Sequence, residues 1–240
     1  MVPIPEGMSE AETENAIRSV MEAHPILRGR ISEIDGTPYL TTDSEPVIEY
    51  GSPEGFIRPF VLSEGLCRFR IVPGYILWDM HHTIMDAESR RILISEFRKA
   101  LSGLQLEEDL GFLVPAVDPP DQDYTEEAES FFASVLNGER DLPIPDGGTP
   151  GRGSIGLDIR PKDIERFDTT PGVFFASVFG YTLSRFSGSS KAIFPMTEKG
   201  RIPGTENSVG MFVRTFPVSI DCSDAATEEF LEKASGAVLG

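Results

Sequence analysis

The sequence predicts a mixed α/β or α+β protein of two lobes, and three observations carry that expectation. Two turn signals, Asp35-Gly36 and Pro73-Gly74, each separate short apolar runs and so mark hairpins. After the second hairpin the apolar period changes, and Ile92, Leu93, Phe97 and Leu101 share one helical face. A Pro- and acid-rich stretch, Gln105 to Tyr124, then separates this half from one in which helices alternate with strands. We therefore expect an N-terminal lobe over 1–112, a connection over 113–124 and a C-terminal lobe over 125–240. A chain of 240 residues with 40% hydrophobic content is long enough to bury most of its apolar surface.

The elements follow in order. Ser9-Glu10-Ala11-Glu12 is a capping box ahead of Ala16, Ile17, Val20 and Met21. That helix should end near Ala23, because Pro25 disfavours helical geometry at His24. A strand is expected from Leu27 to Ile34, returning through Tyr39-Leu40, with a further short strand over Val47–Tyr50. Cys67–Val72 and Tyr75–Met80 form the second hairpin, which runs straight into His81-His82, and a helix begins after Asp86. Thr125-Glu126-Glu127-Ala128 opens a helix bearing Phe131, Phe132, Val135 and Leu136 and ended by Asn137-Gly138, followed by a loop from Leu142 to Gly153. Thr170-Pro171 caps another, whose stripe Phe174, Phe175, Val178, Phe179, Thr182, Leu183 and Phe186 should face the core. Ala192–Met196 and Met211–Ile220 read as strands, and a last helix begins near Asp224.

Composition excludes several functions. A net charge of −18 and a pI near 4.5 oppose a phosphate backbone, so no nucleic-acid partner is expected. Cys67 and Cys222 make neither a disulfide framework nor a CxxC metal spacing, and Cys67 reads as a small core residue. The N-terminus lacks a basic and apolar leader, and no run reaches the roughly 18 apolar residues of a membrane helix. The expectation is a soluble, cytoplasmic protein with no membrane contact. There is no GxGxxG, P-loop or internal repeat.

The chemistry concentrates in His81-His82-Thr83-Ile84-Met85-Asp86, where a strand hands over to a helix. Three readings stand side by side. Both histidines are structural and Asp86 caps the next helix. His81, His82 and Asp86 bind a metal, although neighbouring strand residues face opposite ways and no further His or Cys is close. One histidine, reaching a cleft while the other packs inward, moves a proton near neutral pH.

His81-His82-Thr83-Ile84-Met85-Asp86-Ala87, with Ser89 after it, resembles the HHxxxDG signature of condensation domains of nonribosomal peptide synthetases. The resemblance extends along nearly the whole chain, in the family's order. Ala23-His24-Pro25-Ile26-Leu27-Arg28 is similar to "RHExLR", and Pro59-Phe60-Val61-Leu62 with Gly65-Leu66-Cys67-Arg68 to "PFDL…GPLxR". Gly200-Arg201 and Ser208-Val209-Gly210-Met211-Phe212-Val213-Arg214-Thr215-Phe216-Pro217 are similar to "GR…xxGxFVNTLP".

This resemblance implies a two-lobed, chloramphenicol acetyltransferase-like fold whose second lobe is incomplete, the chain being short at both ends. It implies an acyltransferase that passes an upstream acyl or peptidyl thioester to the α-amino group of a downstream aminoacyl thioester. No cofactor would be bound; substrates would arrive on phosphopantetheine arms of upstream and downstream peptidyl carrier domains, with an adenylation domain adjacent. His82 would be catalytic, with His81, Asp86, Arg201 and Ser89 in support, and Asp86 turned away to pair with Arg201. Ala87 replaces the motif's closing Gly, and Arg214 the Asn of "FVNT".

Within the same superfamily an epimerization domain is the near alternative, since Glu198-Lys199-Gly200-Arg201 resembles its "EGHGR" and Ser89-Arg90-Arg91-Ile92-Leu93 its "SWRIL" without the Trp. A cyclization domain carries Asp where both histidines stand here, and stand-alone acetyltransferases carry their His near the C-terminus. A non-catalytic recruitment module would retain the fold, and its usual mark is a damaged HHxxxD.

Overall fold

A computed structural model describes residues 1–117, 122–136, 151, 153–223 and 226–239. The chain divides into two compact units, one of Met1–Pro119 with Lys199–Arg214, the other of Pro120–Glu198 with Thr215–Gly240. The first unit thus recruits a late segment of sequence, and that segment carries Arg201.

In the first unit, β1 (Val2–Pro3) precedes α1 (Glu10–Ala23). The capping box forms as its residues dictate: the Glu12 N–H donates to Ser9 Oγ, and the Ser9 N–H donates back to Glu12 Oε2. Pro25–Arg28 is a 3₁₀ turn, so the next strand, β2 (Arg30–Ile34), starts three residues later than the apolar run suggested. It pairs with β3 (Thr37–Thr41) across Asp35 and Gly36, both at positive φ, the conformation a two-residue hairpin of this twist needs. β4 (Ile48–Tyr50), β5 (Cys67–Val72) and β6 (Tyr75–Met80) complete a sheet of order β1-β6-β5-β4, with β4 parallel to β5 and the remaining pairs antiparallel. Gly74 takes the positive φ of the β5–β6 turn.

α1 and α2 (Ala87–Leu101) pack against this sheet, and Ile17, Val20, Phe69, Ile76, Leu93 and Phe97 fill the core between them. Cys67 lies in that core, and burial pushes its thiol well up, as a small apolar residue requires. Within the sheet Arg68 and Asp79 stand opposite each other, with Arg68 Nε donating to Asp79 Oδ2 at 2.9 Å. A 3₁₀ turn (Gly111–Leu113) leads into α3 (Val114–Val117).

The second unit holds α4 (Gln122–Leu136), α5 (Pro161–Glu165), α6 (Pro171–Ser187), β7 (Lys191–Glu198), β8 (Arg214–Asp221), which starts at the last residue of the first unit, and α7 (Thr227–Leu239). α4 begins three residues before the expected opening, and its expected stop at Asn137-Gly138 lies outside the described residues, as do most of the loop from Leu142 to Gly153 and Asp224. α6 is capped as expected, the Val173 N–H donating to Thr170 Oγ1, and ends on Gly188 at positive φ.

Most of its apolar stripe does not face the core, although Leu183 packs against the buried cluster. Phe175, Val178, Phe179 and Phe186 are exposed, Phe186 by 71%, and the buried face is Val173, Ala176, Ser177, Gly180 and Ser184. A Cβ on Gly180 would stand 3.2 Å from both Ile220 Cδ1 and Phe194 Cε1. The helix therefore approaches the β7–β8 pair through its smallest side chains, and close packing, not apolar content, selects the buried face. No described helix is long and apolar enough to cross a membrane.

Candidate active site: the His81–Asp86 turn and its anchoring loop

The site is built at the end of β6. The β5–β6 register ends with Cys67 opposite Met80, and the His81 N–H then donates to the Leu66 carbonyl at 2.8 Å. Beyond that bond the chain leaves the sheet, and His82–Ile84 form a 3₁₀ turn capped by His81. The two histidines are therefore not strand neighbours, and strand alternation does not separate them; the turn does.

His81 is half-buried, its ring edge-on to Phe60 at 6.0 Å between centroids. The Thr83 N–H donates to His81 Nδ1 at 3.2 Å, and Thr83 Oγ1 lies 2.7 Å from the same nitrogen. A backbone N–H can only donate, so Nδ1 is an acceptor and the ring proton is on Nε2. His82 is exposed, and its ring makes no hydrogen bond to a described residue. Ile84, fully buried in the core of the first unit, pins the turn from beneath.

Asp86 is 2% exposed and does two things at once. It caps α2, its Oδ1 accepting the Ser89 N–H at 2.8 Å. It also takes a bidentate pair from Arg201, Nη2 to Oδ1 at 3.1 Å and Nη1 to Oδ2 at 3.2 Å, and the Phe212 N–H at 3.2 Å. Arg201 Nη2 further donates to the Ser208 carbonyl at 3.1 Å, and the guanidinium lies over the Phe212 ring at 4.5 Å. Ser89 Oγ accepts the Gly210 N–H at 3.0 Å and lies within donating reach of Asp86 Oδ1 and the Gly210 carbonyl.

This network corrects one strand. Met211–Val213 were expected to open β8, but residues 208–213 form a loop in which the Ser208 carbonyl, the Gly210 N–H and the Phe212 N–H pair with Arg201, Ser89 and Asp86 instead of a neighbouring strand. The Asp86 carboxylate, held by these donors, has no free face for a metal, and no group of three or more His, Cys, Asp or Glu among the described residues is placed to hold one.

A second, partly buried carboxylate, which the sequence does not single out, grips the same loop. Asp109 Oδ2 accepts the Val209 N–H at 2.7 Å and lies 2.9 Å from His24 Nδ1, and Oδ1 accepts the Gly111 N–H at 3.0 Å. Burial alone would raise the Asp109 carboxyl. Hydrogen bonds from His24, Val209, Ser208 and Gly111 outweigh it and hold the group below its ordinary range. Asp109 lies in the Pro- and acid-rich stretch from Gln105 to Tyr124, and its partner Val209 is 100 residues away, so no local signal marks it.

No family model matches the chain. In sequence it is 28% identical over 261 residues to part of surfactin synthase subunit 2 of Bacillus subtilis (strain 168), covering 94% of this chain and 7% of that protein. Among solved structures, the epimerization domain from the third module of tyrocidine synthetase B superposes with a TM-score of 0.76 at 14% identity, over 99% of this chain and 66% of that one. The first condensation domain of the calcium-dependent antibiotic synthetase superposes with a TM-score of 0.71 at 16% identity, over 100% of this chain and 67% of that one. The chain thus spans about two thirds of the solved domains it matches and a small part of the synthetase. In sequence the chain is similar to parts of nonribosomal peptide synthetases, and in fold to their epimerization and condensation domains.

Proposed function

We propose that the chain is an amide-forming condensation domain in which His82 handles the proton of the attacking amine. The observation that carries this reading is the contrast within the motif. His82 presents an exposed imidazole with no hydrogen bond to a described residue, while His81, Asp86 and Ser89 are all engaged in holding the turn. The amine nitrogen of a downstream aminoacyl thioester would attack the upstream thioester carbonyl. The C–N bond forms and the C–S bond breaks, and the proton leaving the amine passes by way of His82 to the departing thiolate. Both substrates would be carried on phosphopantetheine arms of carrier domains, so no resident cofactor is required, and an adenylation domain would load the acceptor carrier.

The alternative, epimerization, is favoured by one specific observation, the superposition on an epimerization domain. There His82 would move the α-proton of a single tethered aminoacyl group. Mass spectrometry of carrier-bound products separates the two. A mass gain corresponding to a dipeptide between two loaded carriers supports condensation. Deuterium uptake at the α-carbon from heavy water, with one loaded carrier and no dipeptide, replaces it with epimerization, and neither product leaves a non-catalytic recruitment module.

A further inference from the structure

We propose that Asp109, oriented by His24, is a positioning residue that holds the Ser208–Phe212 loop at Val209 while Asp86 holds it at Phe212, so that two carboxylates brace the loop behind the turn carrying His82. This rests on the functional reading above for its purpose, but its geometry stands independently. Four of the five loop residues are held by side chains: the Ser208 carbonyl by Arg201, the Val209 N–H by Asp109, the Gly210 N–H by Ser89 and the Phe212 N–H by Asp86. Met211, the fifth, is exposed. Val209 itself is fully buried in the core of the first unit, so the loop is fastened at its second residue by both packing and Asp109.

The two braces share a backbone. Asp109 fixes Val209; the preceding carbonyl, of Ser208, accepts from Arg201; and Arg201 reaches Asp86, two residues beyond the turn. Releasing Val209 therefore loosens one of the acceptors that orient Arg201. His24 supplies the orientation of Asp109. An ionised carboxylate only accepts, so His24 Nδ1 must be the donor at 2.9 Å, and its ring is 97% buried, as its 3% exposure shows. Its other nitrogen, Nε2, makes no hydrogen bond and lies 3.8 Å from Glu96 Oε2, so the ring is held through Asp109 and packing. The approach is also close: a Cβ on Gly111 would overlap the Ser208 hydroxyl, so only glycine lets the Asp109 segment lie this near the loop.

The test is hydrogen–deuterium exchange on the whole chain. Asp109→Asn leaves one acceptor oxygen where donors converge on two, and His24→Leu removes the orienting donor. Each should speed exchange at Val209, Gly210 and Phe212 about tenfold or more, the worth of one charge-assisted bond, while β5 and β6 keep their protection. His24→Asn places an amide N–H where Nδ1–H stands, and should retain loop protection to within about threefold. Unchanged exchange at 209–212 in Asp109→Asn would overturn the proposal. So would a rise matched in β5 and β6, which marks general destabilisation, or a His24→Asn variant as open as His24→Leu. Because exchange is read without substrate, a failure of the functional reading leaves this result interpretable. Where the wild-type chain turns over, Asp109→Asn should lower kcat with KM for the loaded carriers unchanged; a change in KM alone would count against a role through the turn.

Discussion

Asp86 and Arg201, 115 residues apart in sequence, form a two-bond ion pair at 3.1 and 3.2 Å with side chains 1% and 6% exposed. Removing one member leaves the other charge buried and uncompensated, which costs about 3–5 kcal/mol. Asp86→Ala should cost at the upper end, since it also removes the cap of α2. In the double variant Asp86→Ala/Arg201→Ala the losses should be strongly non-additive, because the second substitution removes a charge already stranded. Urea unfolding of the four proteins measures this, and additive losses would mean the pair acts only through its separate contacts.

The same pair sets a steric demand next door. Gly200 has φ +57°, and a Cβ there would overlap the Phe212 carbonyl oxygen and lie 2.7 Å from Arg214 Cγ. Gly200→Ala combines a strained backbone with a clash against main chain that cannot swing aside, so it should destabilise by about 2–4 kcal/mol. Gly204→Ala, also at positive φ but with nothing within 4 Å, should cost only the backbone strain, about 1 kcal/mol. Thermal unfolding of the two variants compares them directly, and equal losses would remove the steric argument.

The sequence was legible where structure is local. Ser9 with Glu12, Asp35-Gly36, Pro73-Gly74 and Thr170-Pro171 carry their conformations in adjacent residues, and all fold as expected. It misled where partners are distant. The α6 stripe was judged by apolar content, yet Gly180 and Ala176 are buried against β7 and β8, where a Cβ on Gly180 would already meet Ile220 and Phe194 at 3.2 Å, while Phe179 reaches Phe194 only from the exposed flank. At the site, the Asp86–Arg201 pair was expected only through resemblance, and the His24–Asp109–Val209 link escaped because nothing in 105–112 distinguishes one acid from its neighbours.

Asp109 also sets an acid response. Its carboxyl is held below the ordinary value, so the folded state binds its proton less readily than the unfolded chain. The resulting stability is present above the unfolded value of about 4 and is lost as pH falls through the lower folded value. Asp109→Asn should therefore lower stability at pH 7 and flatten its decline below pH about 4 relative to wild type. Unfolding free energies across pH 2.5–7 test this, and parallel curves for the two proteins would show that Asp109 gains no proton-linked stability on folding.

The two histidines of the motif should separate stability from rate. His82 is exposed and bonds to no described residue, so His82→Ala should leave the unfolding free energy within about 0.5 kcal/mol of wild type. If it handles the amine proton, the same variant should lose about 10²–10⁴-fold in the rate of product formation between loaded carriers. His81 is different in kind. Its Nδ1 caps the turn by accepting the Thr83 N–H, and its ring meets Phe60, so His81→Ala removes a cap worth about 1 kcal/mol and part of a packing contact. His81→Asn offers a side-chain oxygen near the Nδ1 position and should restore much of the cap, and with it the rate lost by His81→Ala. No such replacement should rescue His82→Ala, because its contribution is a proton and not a fold. Single-turnover mass spectrometry beside urea unfolding reads both effects. A His82→Ala protein that forms product at the wild-type rate would end the case for His82 as the proton carrier, whatever His81 does to the turn.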